Sequence, residues 1–129
     1  DKGWIAYTDE SKRDLVYVDK VHFTNVLTNL IDNAVKYCKE KPEISVKLFN
    51  AGDRLIFSVK DNGIGISKDN QKKIFERFYR VSTGNVHDVK GFGLGLSYVK
   101  LIVEEHGGAI RMNSELNKGT QIDIKIPHL

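Results

Sequence analysis

The sequence is poor in the residues that usually announce a function. It holds one cysteine, Cys38, so no internal disulfide can form and no Cys-rich metal spacing exists. Four histidines, His22, His87, His106 and His128, are scattered without a zinc-type pairing and read as surface residues. No apolar run approaches the roughly 20 residues needed to span a bilayer, and no signal peptide opens the chain. The formal net charge is only +3, with both signs mixed, so the basic stripe that nucleic-acid binding needs is absent. Neither G-x-G-x-x-G nor G-x-x-x-x-G-K-[ST] occurs, which removes the two standard nucleotide-loop signatures. What is present is an ordinary globular composition, 40% hydrophobic and 29% charged over 129 residues, enough for one domain with one core. The opening residues Asp1 to Ile5 read as the edge of a folded unit, so an excised domain is expected.

Periodicity divides the chain into strands and helices. Trp4 to Thr8 and Asp14 to Val18 are β-rich runs joined by a charged turn. Asp19 can cap a helix running to about Lys39, with Val26, Leu27, Leu30, Ile31, Ala34 and Cys38 as its buried stripe and Pro42 beyond its end. On that helix Cys38 reads as a small apolar filler. Ile44, Val46 and Leu48 alternate, as do Leu55, Phe57 and Val59, around Asn50-Ala51-Gly52-Asp53. This predicts a hairpin with one buried face. Ser67 can cap a short helix through Phe75 and Glu76, after which the pattern weakens as far as Gly95, as functional loops often do. Leu96 to Glu105 is helical again, with Val99, Ile102 and Val103 inward and Gly107-Gly108 stopping it. Ala109 to Asn113 and Gln121 to Ile126 read as a closing strand pair.

Four constellations carry chemistry. Asn29, Asn33, Lys36 and Tyr37 share one helix face. Asn is a poor interior helix former, yet its carbonyl is a hard ligand suited to Mg²⁺, and Lys36 could meet phosphate. An exposed polar face would account for the same spacing equally well. Asp61-Asn62-Gly63-Ile64-Gly65-Ile66 places a carboxylate at a strand end before glycines that let backbone approach a flat ring; taken alone, it reads first as a tight turn. Gly91-Phe92-Gly93-Leu94-Gly95-Leu96 enters a helix whose N-terminus could hold an anion, or is simply a flexible glycine loop. Ile74 to Arg80 pairs aromatics with the guanidiniums of Arg77 and Arg80, which suits either phosphate contact or an amphipathic turn packing Phe75 and Phe78.

In this order and at these separations the four motifs resemble the catalytic, ATP-binding domain of bacterial sensor histidine kinases. The resemblance runs from about Asp19 to Pro127. Asn25 to Tyr37 is similar to the family's N box, Asp61 to Ile66 to its first glycine box, Ile74 to Arg80 to its F box, and Gly91 to Ser97 to its second glycine box. Gly119-Thr120 resembles its final glycine motif.

The resemblance implies an α/β two-layer sandwich, with a mixed, largely antiparallel five-stranded sheet packed on three helices (the Bergerat-type ATP-binding fold). Residues 1–129 would be a single catalytic domain with an ATP lid over about 67–90. ATP and Mg²⁺ are the implied cofactors. Carried over by position, Asn33 holds Mg²⁺, Asn29 sits beside the phosphates, and Lys36 and Arg80 meet phosphate oxygens with Arg77 as a second lid cation. Tyr37 and Phe78 line the nucleotide site, and Asp61 reads the adenine amino group. Gly63, Gly65, Gly91, Gly93 and Gly95 frame the pocket, Ile66, Leu94 and Leu96 wall it, and Thr120 lies near the base.

Related ATPases of gyrase, mismatch-repair and chaperone type carry a Glu general base where Asn29 stands. An amide cannot take that role, which is typically worth about 10²–10⁴-fold. The resemblance thus implies a phosphoryl donor rather than a hydrolase. The acceptor would be a histidine on a separate helical dimerisation domain, because none of the four histidines here has the acidic neighbour and downstream proline of that site. A response-regulator receiver would be the downstream partner. The parent would be a homodimeric, inner-membrane-anchored sensor with this domain monomeric in the cytoplasm. The alternatives are a gyrase-like ATP hydrolase and a non-enzymatic nucleotide-sensing docking module.

Overall fold

A computed structural model describes residues 3–11, 19–38, 41–75 and 95–127. Among these, five strands form one sheet in the order β1-β2-β3-β5-β4. The strands are β1 Trp4–Asp9, β2 Glu43–Ala51, β3 Arg54–Lys60, β4 Ala109–Glu115 and β5 Gly119–Pro127. The helices are α1 Lys20–Lys36, α2 Lys68–Gln71 and α3 Gly95–Glu105. Only β1 and β2 run parallel, and every other pairing is antiparallel. A parallel pair needs a long crossover, and α1 lies in that connection. The expected mixed, largely antiparallel five-stranded sheet is therefore the observed one. The expected strand Asp14 to Val18 lies outside the described residues.

Helix α1 begins where the sequence supplies a cap: an Asp19 carboxylate oxygen accepts from the His22 N–H at 3.0 Å. Val26, Leu30 and Ala34 then recur one turn apart and are all buried. The helix ends at Lys36, with the Tyr37 N–H closing on the Asn33 carbonyl at 3.2 Å, not at the expected Lys39, which lies outside the described residues. Cys38 thus falls beyond the helix. It is not a plain apolar filler, because its thiol lies 3.1 Å from the Ala34 carbonyl and 3.2 Å from Asn62 Oδ1.

The register aligns one apolar row across the inner face of the sheet. Val46 faces Val59, Val59 faces Ile122, and Ile122 faces Met112. Together with Val26, Leu30, Val99 and Val103 from the helices, this row forms the core. The hairpin differs from its expectation of one buried face. Ile56 and Ser58, on the opposite face of β3, are also buried. The cause is position: β3 is flanked by β2 and β5, so Ile56 sits between Phe49 and Lys125, whose side chains can cover it.

Ser67 caps α2 as expected, accepting from the Asn70 N–H at 3.3 Å, but the helix stops at Gln71 and turns follow through Phe75. Glu76 lies outside the described residues. Helix α3 buries Val99, Ile102 and Val103, the expected inward set, and Gly107 leaves it with φ +74°. The closing strands are longer than expected by two residues or fewer at each extended end. His106 is not a plain surface residue. Its Nε2 accepts from the Asp19 N–H at 2.9 Å and its Nδ1 meets the Ile102 carbonyl at 2.7 Å, tying the start of α1 to the end of α3.

Candidate functional site

The site forms where the C-terminal half of α1 and the start of α3 meet the end of β3. Pairing of β3 with β5 carries Asp61 to a fixed place, because its N–H continues the ladder to the Thr120 carbonyl at 2.9 Å. One carboxylate oxygen of Asp61 then accepts two backbone N–H groups, from Gly63 at 2.8 Å and Thr120 at 3.2 Å. Burial pushes the Asp61 carboxyl above the ordinary carboxylate range, while those two N–H groups pull it back down. The second carboxylate oxygen has no protein hydrogen bond among the described residues.

The loop after Asp61 is pinned from three sides. Its Ile64 N–H reaches the Tyr37 carbonyl at 2.9 Å, and the Ile64 carbonyl accepts from Asn117 at 2.8 Å. Asn62 accepts from the Glu43 N–H at 3.0 Å and donates to the Lys41 carbonyl at 3.2 Å, so it staples this loop to the entry of β2. Two glycines make the approach possible. Gly65 has φ +74° and a Cβ there would strike the Glu115 carbonyl; Gly119 has φ +127° and a Cβ would strike the Asp61 carbonyl.

A pocket opens between these elements. Its apolar walls come from Leu30 and Ala34 on α1, Leu96 on α3, and Val59, Met112 and Ile122 on the sheet, with Ile66 and Ile74 beside them. Its polar side chains are Asn33, Tyr37, Asp61 and Thr120. An apolar slot with one carboxylate at its end suits a flat ring that presents a hydrogen-bond donor.

The structure brings together Asn33, Tyr37, Asp61, Gly65, Ile66, Leu96 and Thr120 on the pocket wall. Gly63 is held against Asp61, and Gly95 lies beside Asn33, whose Nδ2 would be 3.8 Å from a Cβ placed on that glycine. Asn29 and Lys36 do not line this pocket; Asn29 is half-buried one turn earlier on α1, and Lys36 is exposed. Arg77, Phe78, Arg80, Gly91, Gly93 and Leu94 lie outside the described residues.

Sequence reasoning missed Ser114, whose hydroxyl accepts from the Ile66 N–H at 2.7 Å and meets Thr120 Oγ1 at 2.8 Å. It also missed Gln71, which donates to the carbonyls of Ile66 at 2.6 Å and Ser114 at 3.1 Å. The register of Ile110 and Met112 continues to Ser114 and was the one signal available; the partners of both residues appear only after β4 and the 61–66 loop have met.

Residues 18–129 match the family described as histidine kinase-, DNA gyrase B-, and HSP90-like ATPase. Among curated relatives, the sensor protein RprX of Bacteroides fragilis is 51% identical over 98% of this chain, and the sensor protein SrrB of Staphylococcus aureus is 43% identical over 84%. The chain spans only 25% of RprX and 19% of SrrB. Among solved structures, the catalytic domain of histidine kinase ThkA superposes with a TM-score of 0.81 at 29% identity, covering 98% of this chain and 80% of that one. The mycobacterial sensor histidine kinase MprB gives 0.84 at 27%, covering 98% and 84%. Full-length ShkA, solved in complex with AMPPNP, gives 0.81 at 28%, covering 98% of this chain and 26% of ShkA. The pocket, the sheet order and these likenesses agree: the chain belongs to the histidine kinase-, DNA gyrase B- and HSP90-like ATPase family, in its sensor histidine kinase branch.

Proposed function

We propose that the chain binds ATP with Mg²⁺ and donates the γ-phosphoryl group to a histidine on a separate helical domain of the same sensor kinase. The observation that carries this reading is the Asp61 carboxylate, fixed by two backbone N–H groups at the end of an apolar slot with one oxygen left over. That oxygen accepts from the exocyclic amino group of adenine while the apolar walls exclude water from the ring.

Asn33 fits a metal role. Its amide lies on the pocket wall beside the start of α3, and among the described residues no group of three His, Cys, Asp or Glu side chains offers a rival site. A single hard oxygen suits Mg²⁺, which takes its remaining ligands from phosphate and water. When bound, the metal would neutralise phosphate charge. Lys36 reaches the phosphates from α1, and Arg80, with Arg77, reaches them from the F-box segment. Phe78, in a lid over about 67–90, would line the nucleotide site, and Gly91, Gly93 and Leu94, just after the lid, would frame and wall the pocket. The start of α3 at Gly95 adds the partial positive charge of a helix N-terminus.

Asn29 is an amide and cannot deprotonate water, so the γ-phosphoryl group is spared for the partner's imidazole. In the transfer a nitrogen–phosphorus bond forms, the bond to the bridging β–γ oxygen breaks, and ADP leaves. The parent protein is a homodimeric, membrane-anchored sensor whose phosphohistidine serves a receiver domain, with this domain on the cytoplasmic side. Mixing the chain with the helical domain, Mg²⁺ and γ-labelled ATP tests the reading. Label should appear on the helical domain's histidine; label released only as phosphate would establish a hydrolase instead.

A further inference from the structure

Three atoms crowd the Ser114 hydroxyl. The Ile66 N–H donates to it at 2.7 Å, the Gly119 carbonyl lies at 3.0 Å, and Thr120 Oγ1 lies at 2.8 Å. A hydroxyl has one proton and two lone pairs. The Ile66 N–H takes one lone pair, and a carbonyl can only accept, so the Ser114 proton belongs to Gly119. The contact with Thr120 is then attractive only if Thr120 donates into the remaining lone pair. This is the one assignment of hydrogens that turns all three contacts into bonds.

The consequence reaches the pocket. Thr120 has spent its only side-chain proton on Ser114, so its oxygen offers a ligand nothing but lone pairs. Beside it, the Asp61 carboxylate also only accepts. The polar end of the slot is thereby an edge of acceptors, which favours a base carrying a donor there and repels one carrying an oxygen. Gln71, donating to the carbonyls of both Ile66 and Ser114, ties the 61–66 loop to β4.

We infer that Ser114 is a positioning residue for base selection: by fixing the Thr120 hydroxyl as an acceptor, it makes the pocket choose an amino-bearing purine over an oxo-bearing one. The inference rests on the nucleotide reading above and adds a residue that does not itself line the slot.

Equilibrium binding of ATP and of inosine triphosphate, in which an oxo group replaces the amino group, tests it. The unsubstituted chain should prefer ATP. Ser114→Ala frees the Thr120 proton to serve an oxo group, so the preference should shrink by about three- to tenfold, the usual worth of one hydrogen bond. Ser114→Thr keeps a hydroxyl and should restore the preference. If the alanine variant does not fold, Ser114→Cys keeps its bulk, weakens the bond, and should shift the ratio in the same direction. On a Thr120→Val background, Ser114→Ala should leave the ratio where it is. An unchanged ratio in a folded Ser114→Ala or Ser114→Cys variant, even with a lower melting temperature, would overturn the inference and leave ATP binding standing. Failure of the unsubstituted chain to bind ATP would overturn the reading beneath it.

Discussion

The two ends of the α1–α3 helix pair are both rich in polar contacts, but they are built to opposite ends. Far from the pocket, Asp19, His22, Tyr98 and His106 bond to one another or to backbone: His22 Nδ1 meets the Tyr98 hydroxyl at 2.8 Å, and both ring nitrogens of His106 are occupied. At the pocket, Asp61 is held by one oxygen only, and the other makes no hydrogen bond among the described residues. The first arrangement ties the start of α1 to α3 through His106 and Tyr98 and acts as a clamp. The second keeps capacity in reserve, which a binding site requires and a stable core alone would not retain.

The largest effect should separate these ends. Asp61→Asn can keep both backbone bonds with its carbonyl while turning an amino group toward the ligand, so a donor meets a donor. ATP affinity should fall by about a hundredfold or more, since a hydrogen bond to a charged group is worth about 1.5–3 kcal/mol and a clash is added. The same variant should melt higher at neutral pH. Asp61 has a raised folded pKa, so its contribution to stability is full below the ordinary value of 3.8 and is lost as pH rises through the folded value. The advantage of Asn should therefore vanish in acid, as thermal melts at several pH values would show.

A smaller and opposite result belongs to the clamp. His106→Ala leaves the Asp19 N–H without its partner and removes the edge contact with Phe23, whose ring centroid lies 5.8 Å away. Melting should drop by a few degrees, for a cost of about 1–2 kcal/mol. ATP affinity should hold within about twofold. A large loss of affinity would join the two ends that the geometry separates. The smallest effect is that of the α1 cap. Asp19→Ala should lower the melting temperature slightly at neutral pH. Its bond from the His22 N–H holds the carboxyl below the ordinary value, so this stabilisation is present above 3.8 and lost as pH falls through the lowered value. The two melting curves should converge in acid.

Much of this was legible because local chemistry and global fold agree. Asp19 reads as a cap and is one, and of the expected stripe Val26, Leu30 and Ala34 are buried while Leu27, Ile31 and Cys38 are only half-buried. Asp61 and its glycines read first as a tight turn; in the structure the chain bends at Gly63, whose N–H closes on the Asp61 side chain, and the approach of Thr120 and Tyr37 makes this a site. What could not be read depends on partners distant in sequence. Ser114 shares the inward register of Ile110 and Met112, but what its hydroxyl bonds cannot be read until the 64–66 loop closes on it. Ile56 and Ser58 look exposed by alternation, yet a central strand buries both faces. His106 looks like an ordinary residue at a helix end, and its bond to Asp19 spans 87 positions.

The central claim is that the base-binding end is at Asp61 and Thr120 and not elsewhere on the domain. Backbone amide spectra of the isotope-labelled chain, recorded while ATP and Mg²⁺ are added, test this directly. The Gly63, Ile66 and Thr120 amides should move most, and those of Asp19, His106 and Gly107 should stay in place. Saturable shifts centred on the far clamp, or none at all, would contradict it.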